Sequence, residues 1–348
     1  MPPGSQDTRR RFEQWARNPR CTANAVSAIV NFPMRKVAEA EGVKAQFGQS
    51  PFALVRGRKF EQGIFQQDAA LLRTELEAVG VLPTASTGLA DFRLRNGGGP
   101  MPSLDAAIDA SLNWLRMLAA GRTPETIAAG LALRIPGGVM LPEATLCIDA
   151  LAVRTLESRR ELIVGEIKVY PDRGGYTDAT QLATSRAQAG IYGHALQVAV
   201  SAADLQNALH VSDRGFLVLS HAGSNRIRLR HDEDLRAQIQ RARDGLSQLS
   251  AVAQELRPDP ANGLVVIQGA PTSYCEACVS FCERASTCRA RAMAEERPEI
   301  LGDAVKRLMG DMTLARLRDL ISKRSEPADD HEREVLAAVL SIPEYGHG

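Results

Sequence analysis

The chain has 348 residues, 44% of them hydrophobic, enough to bury a substantial core. Its 42 basic and 41 acidic side chains nearly cancel, to a net charge of +1, so bulk charge singles out no polyanionic partner. No stretch approaches the roughly 20 consecutive apolar residues of a membrane span, and the opening, with Arg9, Arg10 and Arg11 close behind Met1, lacks the apolar run of a secretory leader, so a cytoplasmic protein without membrane contact is expected.

In chain order, residues 22–32 read as helical and Pro33 interrupts them. Residues 52–79 carry apolar side chains at helical spacing with few breakers, 96–100 form a glycine-rich loop, and 104–120 and 124–133 predict two further helices. The pattern then changes to alternation. Thr145, Cys147 and Asp149 project to one face of a strand and Leu146, Ile148 and Ala150 to the other. A polar turn at 157–160 leads into a second strand at 162–170, and the pair predicts a hairpin. Residues 178–200 predict a helix, 215–220 a strand, 222–225 a turn and 226–230 a strand. A long amphipathic helix over 232–256, a linker at 257–263 and a helical tail after 297 complete the reading. The succession predicts an α/β layer, with a helical region at 1–132, a core at 133–260, a cysteine-rich segment at 261–295 and a helical tail at 296–348.

Within the hairpin, Glu166 and Lys168 leave the same face of one strand, and Asp149 lies on the neighbouring strand. Two carboxylates and an ammonium therefore converge, a set of hard oxygen ligands suited to Mg²⁺ or Mn²⁺. A solvated Glu-x-Lys on a surface hairpin is the plainer alternative. Against it, Ile148, Ala150, Ile163, Ile167 and Val169 make the strands apolar, and the next helix carries Gln181, Ser185, Gln188 and Tyr192 on one stripe.

The order of Asp149, then Glu166-Ile167-Lys168, then Gln188 and Tyr192 four residues apart resembles the RecB-like branch of the PD-(D/E)XK nucleases. That resemblance implies a restriction-endonuclease-like core sheet flanked by helices, with helical N- and C-terminal extensions. It implies a DNA nuclease, acting as an exonuclease on ends or single strands, in which Asp149 and Glu166 bind metal, Lys168 assists catalysis, and Gln188 and Tyr192 line the DNA side. Many such proteins carry a metal-binding histidine in an upstream Gly-x-x-His-Glu helix. Here Gly57 to Glu61 has Phe60 at that place, leaving Glu61, water or nothing as the third ligand.

Cys275, Cys278, Cys282 and Cys288 fall within fourteen residues, a spacing that points to metal in a reducing compartment. On pattern alone they suit one tetrahedral zinc or one cubane. Some RecB-like nucleases, CRISPR-associated exonucleases among them, hold a 4Fe-4S cluster with one cysteine before the core and three after it. The resemblance thus implies that Cys21 shares a cluster with three of the four, joining the chain's ends, with either Cys275 or Cys278 spare. It also implies adaptation or repair proteins as partners. Cys147 reads as core packing. Arginines cluster near the N-terminus (Arg9, Arg10, Arg11, Arg17, Arg20), at Arg56 and Arg58 beside Lys59, along one strand face (Arg226, Arg228, Arg230), and near the cysteines (Arg284, Arg289, Arg291). These are phosphate-binding surfaces or solvated faces. A nuclease-fold protein without catalysis that binds DNA or protein, and a zinc-binding regulator, are the competing readings.

Overall fold

The computed structural model describes residues 11, 14–44, 51–84, 86–94, 101–134, 145–156, 159–222 and 226–341, with backbone alone for 51–54 and Glu276. The expected loop at 96–100, the start of the turn at 157–158, the tip at 223–225, and Arg9 and Arg10 lie outside them. The chain divides into two compact units. One comprises Met1–Arg10 and Gly48–Leu256, the other Arg11–Phe47 and Arg257–Gly348. Its helices, in order, are α1 Thr22–Val30, α2 Met34–Ala40, α3 Pro51–Ile64, α4 Gln66–Ala78, α5 Leu104–Ala119, α6 Ala179–Ala202, α7 Arg236–Leu256, α8 Gly263–Gly269, α9 Ala285–Glu295, α10 Asp303–Met309, α11 Leu314–Ile321 and α12 Asp330–Leu340. No helix among the described residues is long and apolar enough to cross a membrane.

The first unit is α/β, built on a mixed, open seven-stranded sheet. Its strands are β1 Leu89–Asp91, β2 Ile127–Arg134, β3 Thr145–Leu156, β4 Arg159–Asp172, β5 Leu209–Val211, β6 Arg214–His221 and β7 Ile227–Asp234. Their order is β1-β2-β3-β4-β6-β7, with β5 beside β4. β3 and β4 form the expected antiparallel hairpin, with Ala150 opposite Gly165 and Leu156 opposite Arg159. β4 and β6 are parallel, joined through α6, and β7 closes antiparallel on β6.

Of residues 124–133, expected as a helix, 127–133 form β2 instead. Its Ala-Ala-Gly-Leu-Ala-Leu run favours helix by tenths of a kcal/mol per residue. Pairing on both sides outweighs that preference, and every residue from Ile127 to Leu133 is buried, as a central strand requires. The helical stretch 52–79 is likewise two helices. Gln67, Asp68 and Ala69 adopt left-handed backbone, and the Asp68 carboxylate accepts from Leu89 N at 2.9 Å, which ties the break to β1. Residues 232–234 belong to β7, so α7 begins later than its periodicity suggests.

α3 and α4 cover one sheet face, where Ile64, Phe65, Leu72 and Leu76 pack on Ala129, Ala150, Ile163, Ile167, Phe216 and Val218. Phe216 lies over Gly165, where an added Cβ would stand 2.2 Å from its ring. On the other face, α5 sets Ala107 and Ile108 against Ala132 and Cys147, as expected for a packing cysteine. α6 crosses β4 there and is backed by α7, close enough that a Cβ on Gly190 would lie 2.4 Å from Gln238.

The second unit joins segments from the two ends of the chain. Ala23 N donates to Pro271 O at 3.0 Å, and α1 packs along α8. Arg284, only 3% exposed, meets Glu41 twice, at 2.9 and 2.7 Å, and Arg284 Nη1 donates to Ile267 O at 3.3 Å. A separate core of Cys288, Ala292, Ile300, Met309, Leu314, Leu320 and Val335 holds α9 to α12. Removing one partner of a buried ion pair leaves the other charge uncompensated. Arg284→Ala should therefore lower unfolding free energy by roughly 3–5 kcal/mol in urea titrations. An unchanged midpoint would contradict this role for the pair.

Candidate functional site

Asp149, on β3, is 8% exposed, and Glu166, on β4, has no exposed surface. Each stands one residue beyond the Ala150–Gly165 pair, so their side chains leave adjacent strands on the same face. Asp149 Oδ2 accepts from Ile167 N at 3.2 Å, and Asp149 Oδ1 accepts from the Tyr192 hydroxyl on α6 at 3.1 Å. Lys168 forms an ion pair with Glu166. Gln188, one turn before Tyr192, is also buried. The structure thus brings together Asp149, Glu166, Lys168 and Tyr192. Ser185 stays apart from the set, donating its hydroxyl to Gln181 O at 3.0 Å within its own helix.

α3 supplies Glu61. Arg93 Nη1 donates to it at 3.1 Å, while Arg93 Nε and Nη2 grip Asp91 at 2.8 and 2.7 Å. Burial pushes the Glu61 carboxyl up from its ordinary value, the Asp149 carboxylate pushes it further, and Arg93 opposes both. The guanidinium also lies 4.3 Å from the Phe65 ring centroid. Its aliphatic stem passes Gly130, which has φ +64° and where a Cβ would sit 2.4 Å from Arg93 Cγ, so this position demands glycine on two counts. Phe60 packs against the core beneath the sheet. Neither Asp91 nor Arg93 carries a sequence signal, because an acid two residues before an arginine is a commonplace pattern.

Many of the expected cationic surfaces are engaged within the fold. Arg11 donates to Ala28 O and Ile29 O, Arg17 lies over Phe281, Arg20 pairs with Asp303, and Arg56 donates to Val169 O. Arg291 pairs with Glu295. Of the strand arginines, Arg226 and Arg228 are exposed, whereas Arg230 is bound to Glu233 at 2.9 Å.

In the second unit, one cavity is lined by Cys21, Cys278, Cys282 and Cys288, together with Asn18, Met34, Phe281 and Ala285. All four cysteines are buried, and Cys275 is half-exposed. Burial pushes the Cys282 thiol up to about 12 and the Cys278 thiol to about 11, and raises that of Cys288 as well. Cys278 Sγ accepts from Asn18 Nδ2 at 3.2 Å and from Cys275 N at 3.4 Å, the kind of donation that supports a thiolate ligand. Cys275 Sγ lies 3.6 Å from Cys278 Sγ and 3.9 Å from Arg17 O, outside the cavity lining. Asn18, 260 positions from Cys278, is a contact that no spacing rule reveals.

Among the described residues, no three His, Cys, Asp or Glu side chains stand close enough to hold one metal ion. Mg²⁺ does not need three, since it keeps several waters and takes one or two carboxylates with substrate phosphate, a demand the Asp149–Glu166 pair meets. A cubane sets its four thiolates at separate corners, which suits cysteines lining a cavity better than cysteines in mutual contact. No family model, curated protein or solved structure matches the chain.

Proposed function

We propose that the sheet unit is a Mg²⁺- or Mn²⁺-dependent deoxyribonuclease of the RecB-like PD-(D/E)XK type, acting on DNA ends or single strands. The observation that carries this reading is the pair of adjacent buried carboxylates, Asp149 and Glu166, with Lys168 beside them and Tyr192 fixing one of them. Buried like charges on neighbouring strands repel, and a divalent cation is the partner that turns that repulsion into binding. Asp149 and Glu166 would hold the ion. Bound there, it supplies polarisation of the scissile phosphate and a lowered pKa for an attacking water. The rest falls to the chain itself. Tyr192 and Ile167 N aim the Asp149 carboxylate, Lys168 places an ammonium beside Glu166 to offset charge on the phosphate, and Gln188 extends the same helix face. Glu61, tied to Arg93, acts on the site through its charge beside Asp149 and not as a third ligand, and Phe60 packs into the core.

Asp149→Asn and Glu166→Gln should each cut the rate on linear DNA by at least about a hundredfold while circular dichroism and melting stay native-like. If wild-type protein cuts no DNA with either metal, the fold serves binding alone, to DNA or to proteins of adaptation or repair complexes.

The helical unit, in the same reading, holds a 4Fe-4S cluster through Cys21, Cys278, Cys282 and Cys288, with Cys275 the spare cysteine. In anaerobically purified protein, Cys21→Ser should lose most of its iron, sulphide and visible absorbance, and melt earlier. Cys275→Ser should keep them. Iron retained in Cys21→Ser but lost in Cys275→Ser would reverse the assignment, and zinc in place of iron would favour a regulator.

A further inference from the structure

Just past the end of β4, the strand that carries Glu166 and Lys168, a turn presents an aromatic side chain whose exposure the packing does not explain. β4 leaves the sheet at Asp172 and doubles back through Arg173 to Tyr176. Arg173 N donates to Tyr176 O at 2.8 Å and Tyr176 N to Arg173 O at 3.4 Å. Gly174 and Gly175 have φ of +68° and +95°, as a tight two-residue turn requires. The turn is pinned from both sides. Asp172, 2% exposed, accepts from Gly175 N at 2.7 Å and from the Thr177 hydroxyl at 2.8 Å, while Arg230 Nη1 donates to Gly175 O at 3.0 Å. Arg230 is itself held by Glu233, which accepts from Arg186 at 2.5 Å. A chain of buried carboxylates and partly buried arginines thus braces a turn whose tip presents Tyr176 at 70% exposure.

Register relates this tip to the carboxylates. Glu166 pairs with Leu217, which pairs with Arg230, and Lys168 pairs with Leu219, which pairs with Arg228. Paired residues share a face, so Arg228 and Arg230 lie on the face of Glu166 and Lys168. Two strand spacings, about 10 Å in all, separate Lys168 from Arg228. Arg230 is spent on the turn. Arg228 and Arg173 are exposed and have no ion-pair partner among the described residues. An aromatic held in place by its backbone, with the exposed Arg173 in the same turn and the exposed Arg228 on the face of Lys168, suits an unstacked base and its neighbouring phosphates. The bracing lowers the ordering cost of binding.

We propose that Tyr176 is a stacking platform for single-stranded DNA, with Arg173 and Arg228 taking adjacent phosphates, so that the strand runs across the sheet face towards Lys168. The direction of the strand rests on the nuclease reading. The stacking does not. Binding of fluorescein-labelled oligothymidine to the full chain, followed by anisotropy with Ca²⁺ in place of Mg²⁺, tests it. Tyr176→Ala should bind about 5- to 100-fold more weakly, and Tyr176→Trp at least as tightly as wild type. A duplex should be bound alike by all three. Arg228→Ala should weaken binding and flatten the salt dependence by about 0.7 in the log–log slope. Equal binding by Tyr176→Ala and wild type, equal losses on duplex and single strand, or no binding by wild type would each overturn the proposal. If Tyr176→Ala binds normally while Asp149→Asn has lost cleavage, only the platform fails. If wild type stacks the oligonucleotide on Tyr176 but cuts nothing, only the nuclease reading fails.

Discussion

A carboxylate without exposed surface is expensive in any fold, and Glu166 sits in mid-sheet with Asp149 one strand away. Desolvating each charge costs several kcal/mol before pairing, and their mutual repulsion adds to it. Lys168 compensates Glu166 directly, while Ile167 N and the Tyr192 hydroxyl compensate Asp149. The Asp91–Arg93–Glu61 triad repeats the arrangement nearby, with one guanidinium serving two carboxylates. The opposite face of the same strands shows that stability alone needs none of this. There Ala150, Ile163 and Ile167 pack under α3 and α4 in an apolar cluster with Ile64, Leu72 and Leu76. Hydrophobic residues of similar volume in place of a buried ion pair often leave a protein as stable or more so, which is why the proposed function assigns the charged set a binding role.

The hairpin and α6 were legible in the sequence because their signals are local. Period-two alternation marks β3 and β4, and Asp178 caps α6 by accepting from Gln181 N at 3.0 Å. Two spacing of Glu166 and Lys168 on a strand fixes their shared face whatever surrounds them. β2 was not legible, because a fully buried strand of alanine and leucine reads the same as a buried helix. Nor was the break at the start of α4, where the left-handed residues are Gln67, Asp68 and Ala69 and no glycine announces the turn. Arg93 emerges only when β1 and α3 are side by side.

Tertiary contact also separates the cysteines that spacing leaves equivalent. Cys275 and Cys278 are alike in sequence, yet Cys278 is buried, lines the cavity with Cys21 and receives Asn18, whereas Cys275 turns towards Arg17 O. The helical unit draws on residues from both ends of the chain, so closing it costs loop entropy that local packing must offset. Arg284 with Glu41 and the contacts of α1 with α8 contribute to that already. A cluster shared by Cys21 and the C-terminal cysteines, as proposed, would add a cross-link whose effect on the unfolded chain grows with the length of the loop it closes.

Mn²⁺ binding tests the claim about Glu166 and Asp149 without depending on cleavage. In a calorimetric or electron paramagnetic resonance titration, wild type should bind Mn²⁺ at a site that weakens by about tenfold or more in Asp149→Asn. Indistinguishable titrations for wild type and Asp149→Asn would contradict a metal role for the carboxylate pair.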